Sequence, residues 1–275
     1  MVRRQSINEF LQTLWVHYDQ HARRELPWRH TTDVYRVLVS EIMLQQTQVG
    51  RVVPKYEAFI QRFPNAQSLA TAPLSDVLVL WNGLGYNRRA KYLHEAAKIM
   101  NEQEVTSTVE GLVRLPGVGV NTAGAICAYA YNQPVIFIET NIRTVLLYHF
   151  FKSAQAVTDA ELREVLGKII AQVDNPREFY WAMMDYGSWL KTAKDTGNRQ
   201  SKHYTKQSPF EGSRRQVRGA VLRLLTRKQQ SMQELQQHIS DQRLRSVLED
   251  QCQEGLIIHK AGKYRLGADT DSGVQ

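Results

Sequence analysis

The chain has 275 residues, 43% of them hydrophobic, which is enough for one large domain or two modest ones with a substantial core. Its formal net charge of +8 and isoelectric point of about 9.5 favour a polyanionic partner, and nucleic acid is the first candidate. Charges interrupt the apolar pattern of the N-terminal segment and no run approaches membrane-spanning length, which argues against a secretory signal or a membrane partner and predicts a cytoplasmic protein.

The N-terminal segment predicts an amphipathic helix followed by a basic loop. Apolar residues recur at helical spacing over residues 7–18, and Pro27 ends this helix. Thr31 or Thr32 is the expected cap of the next helix. The loop places three arginines around Trp28, namely Arg23, Arg24 and Arg29. This loop either contacts DNA or an exposed base, or is a solvated basic loop around a packed tryptophan.

The next predicted helix, residues 33–44, carries a carboxylate within an apolar run. Its sequence DVYRVLVSEIML places Glu41 among apolar neighbours, where a charge is costly unless it is paired, neutral or facing a cavity. Glu41 is therefore either a functional carboxylate or a structural one that caps a helix or pairs with an arginine. From their residue types alone, Gln45 and Gln46 predict a polar link between helices, and Thr47 predicts the N-cap of the following helix.

Three more helices are predicted before residue 101. The apolar face of residues 49–63 has helical spacing, and Pro64 follows its end. Residues 68–80 predict a second helix. The string WNGLGYNRRAKYLHEAAKIM, residues 81–100, opens with a glycine-rich turn and continues as a basic helix.

A tight hairpin between two helices is predicted at LPGVGVNTAGAI, residues 115–126. Gly117 and Gly119 stand between an apolar lead-in and a small-residue helix that opens near Asn121. The N–H groups of such a turn and helix start form a cluster of donors suited to a phosphate, and the turn carbonyls could hold a monovalent cation. The alternative is a plain helical corner. Downstream, Glu139 stands at the start of a helix predicted over residues 140–151, where capping and the helix dipole favour a carboxylate.

The C-terminal part predicts a second, smaller domain. Residues 191–218 are polar and basic, which indicates either a linker or a segment that follows phosphates. Helical patterns at residues 217–225 and 244–256, a helix capped by Ser231, and a hairpin over residues 256–267 predict a winged-helix-like domain. This domain either adds DNA contacts through Arg243, Arg245, Lys260 and Lys263, or docks a protein.

Three separated motifs resemble those of the helix-hairpin-helix (HhH-GPD) DNA glycosylase superfamily, most of all its MutY-type adenine glycosylases. They are SEIMLQQTQV, GLGYNRRA and LPGVGVNTA, and LPW before the second helix also matches. The resemblance covers about residues 25–190 and implies an all-α helix-hairpin-helix glycosylase fold with the small C-terminal winged-helix-like domain appended. The implied domains are a glycosylase domain at residues 1–205, with lobes at roughly 30–135 and 1–29 plus 136–205, a winged-helix-like domain at 206–268, and a disordered tail at 269–275.

The resemblance also implies a role for each matching residue. Glu41 would be the catalytic acid, and Glu139 the carboxylate that faces the flipped nucleotide. Tyr86 would wedge into the base stack, unless it is a core residue. The implied contacts with DNA are Gln45, Gln46, Thr47, Tyr86, Asn87, Arg88, Gly117, Gly119, Val120, Asn121 and Thr122, with Arg89 also expected at the DNA backbone or on a solvated helix start. Arg24 and Trp28 would line the base pocket.

The chain departs from the family pattern at several positions. Asn87 replaces an aromatic residue usual in the adenine enzymes, and Glu139 replaces the usual aspartate. Asn121 stands where bifunctional relatives carry a lysine that forms a Schiff base, which an amide cannot do. Lys191 stands about where the first cluster cysteine is expected, and Cys127 and Cys252 are the chain's two cysteines, so we expect no iron–sulfur cluster and no metal cofactor.

These features predict a monofunctional DNA glycosylase of base excision repair that acts as a monomer on double-stranded DNA containing a mispaired or damaged base. The expected base is adenine opposite 8-oxoguanine or guanine, extruded from the duplex before Glu41 protonates it. Two alternatives stay open. One is a glycosylase for another base, such as mismatched thymine or uracil, and the other is a non-catalytic lesion-binding protein made possible by the altered Glu139.

Overall fold

The computed structural model describes residues 6–152, 156–193 and 209–267. The chain separates into two compact units, which we name after the acid that each contains. The Glu139 unit comprises Met1–Val37, Ser107–Val113 and Val118–Lys206. The Glu41 unit comprises Leu38–Thr106, Arg114–Gly117 and Gln207–Gln275. The expected C-terminal tail and most of the basic segment at residues 191–218 lie outside the described residues.

Helices make up most of the described chain, and the few strands lie near its C-terminus. The helices are α1 (Ile7–His21), α2 (Val34–Leu44), α3 (Val49–Arg62), α4 (Ala66–Ala70), α5 (Leu74–Trp81), α6 (Arg88–Glu102), α7 (Val109–Leu112), α8 (Val120–Tyr131), α9 (Thr140–Phe150), α10 (Asp159–Ile170), α11 (Pro176–Ala193), α12 (Arg214–Leu225), α13 (Met232–His238) and α14 (Leu244–Gln253). A 3-10 turn spans Pro27–Arg29, and the strands are β1 (Gln230–Ser231), β2 (Ile257–Lys260) and β3 (Lys263–Leu266). No helix in the described ranges has the length and apolar character needed to cross a membrane.

The first helix is confirmed, but its end and the next cap differ from expectation. Ser6 and Glu9 form a capping box at the start of α1, which ends at His21 rather than continuing to the proline. Pro27 instead opens the 3-10 turn. The cap of α2 is Asp33, whose Oδ1 accepts a hydrogen bond from the N–H of Arg36 at 2.8 Å, so the prediction of a threonine cap was wrong.

In the Glu139 unit, α11 packs against α1, α8 and α9. Phe10, Phe179 and Met183 are completely buried in this core. The contact between α11 and α9 depends on Gly187, because a Cβ added there would lie 2.4 Å from the carbonyl oxygen of Asn141. The glycine therefore lets two helices meet at the segment that follows Glu139.

In the Glu41 unit, α6 packs against α4 and α5 around the buried ring of Trp81. The single helix predicted over residues 68–80 is instead two helices, α4 and α5, separated at Pro73. Proline lacks the N–H that would continue the helix, and it disfavours helical backbone at the preceding residue. The N-cap of α3 is Gln48 rather than Thr47.

The C-terminal segment has the predicted three helices and hairpin, and it groups with the Glu41 unit. Ser231 and Glu234 form the capping box of α13. The strands form one antiparallel sheet in the order β1-β3-β2, with Lys260 paired to Lys263 across a two-residue turn. The expected all-α glycosylase fold with a small winged-helix-like segment is confirmed, and within that segment the sequence pattern had not indicated the short strand β1.

Candidate functional site

Glu41 lies on α2, one turn before this helix ends. Its side chain is half-buried, while the neighbouring Ser40, Ile42 and Met43 are buried in the core. The backbone that carries Glu41 is therefore fixed by packing on both sides in sequence. A carboxylate held at the edge of a packed core is partly withdrawn from water, which is the environment that suits an acid required to deliver a proton.

The turns beside Glu41 are held together by one buried arginine, Arg89. Its Nη1 donates to the carbonyl oxygens of Ile42 at 2.7 Å, Met43 at 3.0 Å and Gln45 at 2.6 Å. Its Nη2 donates to Thr47 Oγ1 at 3.1 Å and to the carbonyl oxygens of Leu84 at 3.1 Å and Gly85 at 3.0 Å. The polar turn after Glu41 and the glycine-rich turn are thus bonded to the same guanidinium.

Arg89 corrects the sequence interpretation. We expected it at the DNA backbone or on a solvated helix start, but only 8% of the residue is exposed. Burial lowers the pKa of Arg89 to about 10, so it stays charged at neutral pH and the surrounding oxygen atoms compensate a cation taken out of water. We call this arrangement the Arg89 clamp.

The glycine-rich turn presents Tyr86 outward. Gly83 and Gly85 have φ of 96° and 74°, and Tyr86 itself has φ of 45°, a left-handed conformation that is costly for an aromatic residue. The side chain of Tyr86 is 38% exposed, so it is not the core residue considered as an alternative. Asn87 is the N-cap of α6, and Arg88 is exposed with its Nη2 2.5 Å from the hydroxyl of Tyr92.

The polar turn after α2 meets the start of the hairpin. Gln45 Nε2 donates to the carbonyl oxygen of Gly117 at 3.4 Å, and Gln46 is exposed in a left-handed conformation with φ of 54°. Gly117 has φ of 79°, and a Cβ there would lie 2.9 Å from the Cβ of Tyr92. A side chain at this position would be strained by the positive φ and would clash with the Tyr92 side chain of α6, which explains the glycine.

The second half of the hairpin opens α8, whose N-cap is Gly119. Val120 at its first position is 54% exposed. Asn121 is engaged within the protein: its Nδ2 donates to the carbonyl oxygen of Ile138 at 2.8 Å, and its Oδ1 accepts from the N–H of Ile138 at 3.3 Å. This paired contact fixes the backbone immediately before Glu139. Thr122 is half-buried in the same first turn.

Glu139 is the N-cap of α9. Its Oε1 accepts hydrogen bonds from the N–H groups of Asn141 at 2.6 Å and Ile142 at 3.1 Å. Burial raises the pKa of Glu139 above its ordinary value, although these hydrogen bonds and the charge of Lys191 act in the opposite direction. Both of these hydrogen bonds end on the same carboxylate oxygen, Oε1.

Lys191 of α11 completes this surrounding. Its Nζ donates to Asn141 Oδ1 at 2.6 Å. Burial lowers the pKa of Lys191, and the nearby Glu139 carboxylate partly offsets that effect. Lys191, which stands near the position of the expected first cluster cysteine, therefore holds the side chain of Asn141, two residues after Glu139.

The basic loop before α2 is an ion-pair cluster rather than a solvated loop. Asp185 of α11 is 4% exposed and accepts from Arg23 Nε at 2.6 Å and from Arg29 Nη1 and Nη2, both at 2.8 Å. Burial acts to raise the pKa of Asp185, but the hydrogen bonds and charges of Arg29 and Arg23 outweigh it and hold the pKa below its ordinary value. Trp28 is packed, at 9% exposed, and the guanidinium of Arg24 lies 5.4 Å from the centre of the Tyr18 ring.

The match to a known protein family covers the motifs described above. The sequence profile of the HhH-GPD superfamily of base excision DNA repair proteins matches residues 39–172. That region of the chain is therefore similar to the HhH-GPD superfamily. It contains Glu41, the glycine-rich turn, the hairpin and Glu139, so the match covers these candidate residues and leaves the C-terminal segment outside it.

Curated relatives of the chain carry the name adenine DNA glycosylase. The chain is 34% identical to that of Buchnera aphidicola subsp. Schizaphis graminum over 196 residues, covering 69% of this chain and 56% of the relative. Identity to the Mycolicibacterium smegmatis protein is 38% over 181 residues, covering 64% and 61%. Identity to the human protein is 36% over 200 residues, covering 68% and 36%. The chain thus spans between about one third and three fifths of the length of these relatives.

Solved structures support the HhH-GPD fold. A thermostable thymine-DNA glycosylase superposes with a TM-score of 0.60 at 23% identity, covering 69% of this chain and 89% of that one. A trapped covalent intermediate of endonuclease III with DNA gives a TM-score of 0.56 at 18% identity, covering 78% and 94%. At these identities the likeness concerns the fold.

The residues of the chain do not fit an iron–sulfur cluster. Such a cluster needs four thiolates, and the chain holds two cysteines. In the part of the chain that the structure describes, no three His, Cys, Asp or Glu side chains are grouped so that they could hold a metal ion. Cys127 is buried on α8, where burial raises the pKa of its thiol. A monovalent cation at the hairpin stays a prediction.

Proposed function

We propose that this chain is a monofunctional DNA glycosylase that releases adenine mispaired with 8-oxoguanine or guanine. The Arg89 clamp is the observation that carries the proposal, because it joins the two turns whose sequences resemble the adenine enzymes at the end of the helix that bears Glu41. The names of the curated relatives support adenine as the base. The partner is double-stranded DNA, and we expect a cytoplasmic, nucleoid-associated monomer that works without a cluster or another metal.

Glu41 is the proposed catalytic acid. The glycosidic bond is inaccessible within a duplex, so the adenine is first extruded. Protonation of its N7 by Glu41 makes the base a neutral leaving group, and the resulting carboxylate then helps to place the attacking water. General acid catalysis of this kind contributes about 10²–10⁴-fold, which is the loss we expect for Glu41→Gln.

Glu139 is the proposed electrostatic partner of the sugar. As the base leaves, positive charge develops on the sugar as an oxocarbenium ion, and a fixed carboxylate stabilises it. The cap of α9 holds Oε1 in place and so orders the carboxylate before the reaction starts. Glu139 must be ionised for this role, and because its pKa is raised it loses this charge at a higher pH than an ordinary glutamate does.

The proposed enzyme hydrolyses the base and does not cut the strand. Asn121 supplies an amide at the hairpin position where a Schiff base would need an amine, and both its polar atoms are bonded to Ile138. Incubation with an abasic duplex and borohydride should therefore give no covalent adduct. A trapped adduct that Lys191→Met abolishes would show that α11 provides an amine instead.

A different base is the second candidate. Asn87 favours it, because this residue is the N-cap of α6 directly after the exposed Tyr86, where an aromatic side chain would be expected for an adenine enzyme. An amide at this place offers hydrogen bonds to a base edge that a ring does not. Mismatched thymine or uracil is the class of base to test.

Single-turnover base release separates these possibilities. Duplexes containing A:8-oxoguanine, A:G, T:G, U:G or 5-hydroxycytosine:G are incubated with excess protein and then cleaved with alkali at the abasic sites. Adenine release that Glu41→Gln reduces by at least about 10²-fold supports the proposal. Release of a different base, again lost in Glu41→Gln, would replace adenine by that base as the proposed substrate. No release from any duplex, with tight binding to an abasic analogue, identifies a lesion-binding protein.

A further inference from the structure

We propose that Arg215 of the C-terminal segment is a positioning residue for Tyr86, so that this segment forms part of the surface that reads the lesion. The inference rests on the proposed function for the role of Tyr86 at the base stack. It concerns a part of the chain that the family match does not cover, since that match ends at residue 172.

The contact is direct. Arg215 Nη1 donates to the hydroxyl of Tyr86 at 2.6 Å, and the Arg215 guanidinium carbon lies 5.6 Å from the centre of the tyrosine ring. The guanidinium carbon of Arg89 lies at the same distance, 5.6 Å, from that ring. An exposed tyrosine with a left-handed backbone is thus held from the core by the Arg89 clamp and from the C-terminal segment by Arg215.

A second contact attaches the C-terminal segment to the same helix. Lys91, one turn into α6, donates from Nζ to the carbonyl oxygen of Glu254 at 2.7 Å. Glu254 is the C-cap of α14, and a cation is favoured beside the carbonyl groups that end a helix. β3 also contacts α5. The segment is therefore attached to both helices that flank the glycine-rich turn, and this attachment fixes the position from which Arg215 contacts Tyr86.

This arrangement gives the Arg215 contact a specific consequence. A ring that wedges into a base stack must keep its direction while the stack pushes against it, and an exposed side chain otherwise samples several rotamers. Arg215 restricts the Tyr86 ring before DNA arrives. Its positive charge would also attract the phosphate backbone of DNA that contacts Tyr86, so the same side chain can hold the ring and attract the strand.

The test compares Arg215→Ala with Arg223→Ala in the full chain. Arg223 lies on the same helix, α12, and is exposed, so its substitution removes the same charge and leaves Tyr86 untouched. The probe duplex carries a tetrahydrofuran abasic analogue opposite 8-oxoguanine, with 2-aminopurine next to the 8-oxoguanine. Disruption of the stack by the ring raises 2-aminopurine fluorescence, and titration gives the dissociation constant.

For Arg215→Ala we expect a smaller fluorescence rise and a dissociation constant raised by about three- to tenfold, the effect of losing an exposed hydrogen bond from a charged donor. Tyr86→Phe should give a similar loss, and the double variant little more, because both changes remove one interaction. Arg223→Ala should change the constant by less than about twofold. Thermal unfolding of each variant identifies any that fails to fold, and Arg215→Lys then provides a milder substitution.

Equal effects of Arg215→Ala and Arg223→Ala on both the fluorescence and the dissociation constant would overturn the inference, since charge alone would then account for them. So would a double variant whose effects simply add. Base release is measured separately on the substrate duplexes. If the wild type released no base but the fluorescence rise still depended on Arg215, the proposed function would fail while the positioning role stood.

Discussion

Replacing Arg89 by alanine should destabilise the Glu41 unit more than most single substitutions. Three of its acceptors, the carbonyl oxygens of Ile42, Met43 and Leu84, are bonded in buried positions. A buried carbonyl group that loses its donor costs about 1–3 kcal/mol, and some of this cost is recovered if water enters. We therefore expect the free energy of unfolding to fall by about 3–5 kcal/mol. Arg89→Lys should lose about half as much, because an ammonium keeps the charge but has three donors.

The assay is urea unfolding followed by circular dichroism, with Arg88→Ala as the matched control. Arg88 is adjacent in sequence and carries the same charge, but it is exposed, so its substitution should change the free energy of unfolding by no more than about 0.5 kcal/mol. A loss below about 1 kcal/mol for Arg89→Ala would refute the reasoning, because the carbonyl groups would then be satisfied without the guanidinium.

Three further predictions concern the Glu139 unit. Burial raises the pKa of Glu139 above the ordinary glutamate value of about 4.3. As the pH is lowered, the single-turnover rate should therefore begin to fall before the pH reaches about 4.3, and a rate that stays constant down to that pH would contradict this prediction. Asp185→Asn should cost about 3–5 kcal/mol in urea unfolding at pH 7. Because the folded pKa of Asp185 is depressed, its stabilisation is complete above the unfolded pKa and is lost as the pH falls through the folded value, so the difference between Asp185→Asn and wild type should shrink there. Gly187→Ala should cost about 1–3 kcal/mol through overlap with Asn141, whereas Gly219→Ala, with open space on α12, should be neutral or stabilising in the same assay.

Local patterns predicted the elements that local interactions determine. Helical spacing located α1 and α3, and Ser231 was identified as a cap from its residue type and position alone. The predicted helix over residues 68–80 was wrong because its apolar spacing continued through Pro73, and the missing N–H outweighed the pattern. Apolar periodicity predicts which face of a helix is buried, but it does not indicate where a proline interrupts the helix.

The contacts that organise the site join residues far apart in the chain, so local sequence patterns do not predict them. Arg89 is 47 residues from Ile42, and Arg29 is 156 residues from Asp185. Arginine is usually exposed, so a basic helix start after a glycine-rich turn predicted a surface. One signal was present: Asp185 stands inside the apolar run FYWAMMDYGSWL, just as Glu41 stands inside its own, and a charge in such a run needs a partner or a function.

The two proposed catalytic acids are held in different ways, and this difference decides what their substitutions report. The Glu139 carboxylate is also the cap of α9, so removing it exposes two backbone N–H groups and changes stability together with chemistry. Glu41 lies on a helix whose following turn is fixed by the Arg89 clamp. A loss of base release in Glu41→Gln is therefore compared with unfolding of the same variant, and a loss in a Glu139 variant must also be corrected for the helix that it caps.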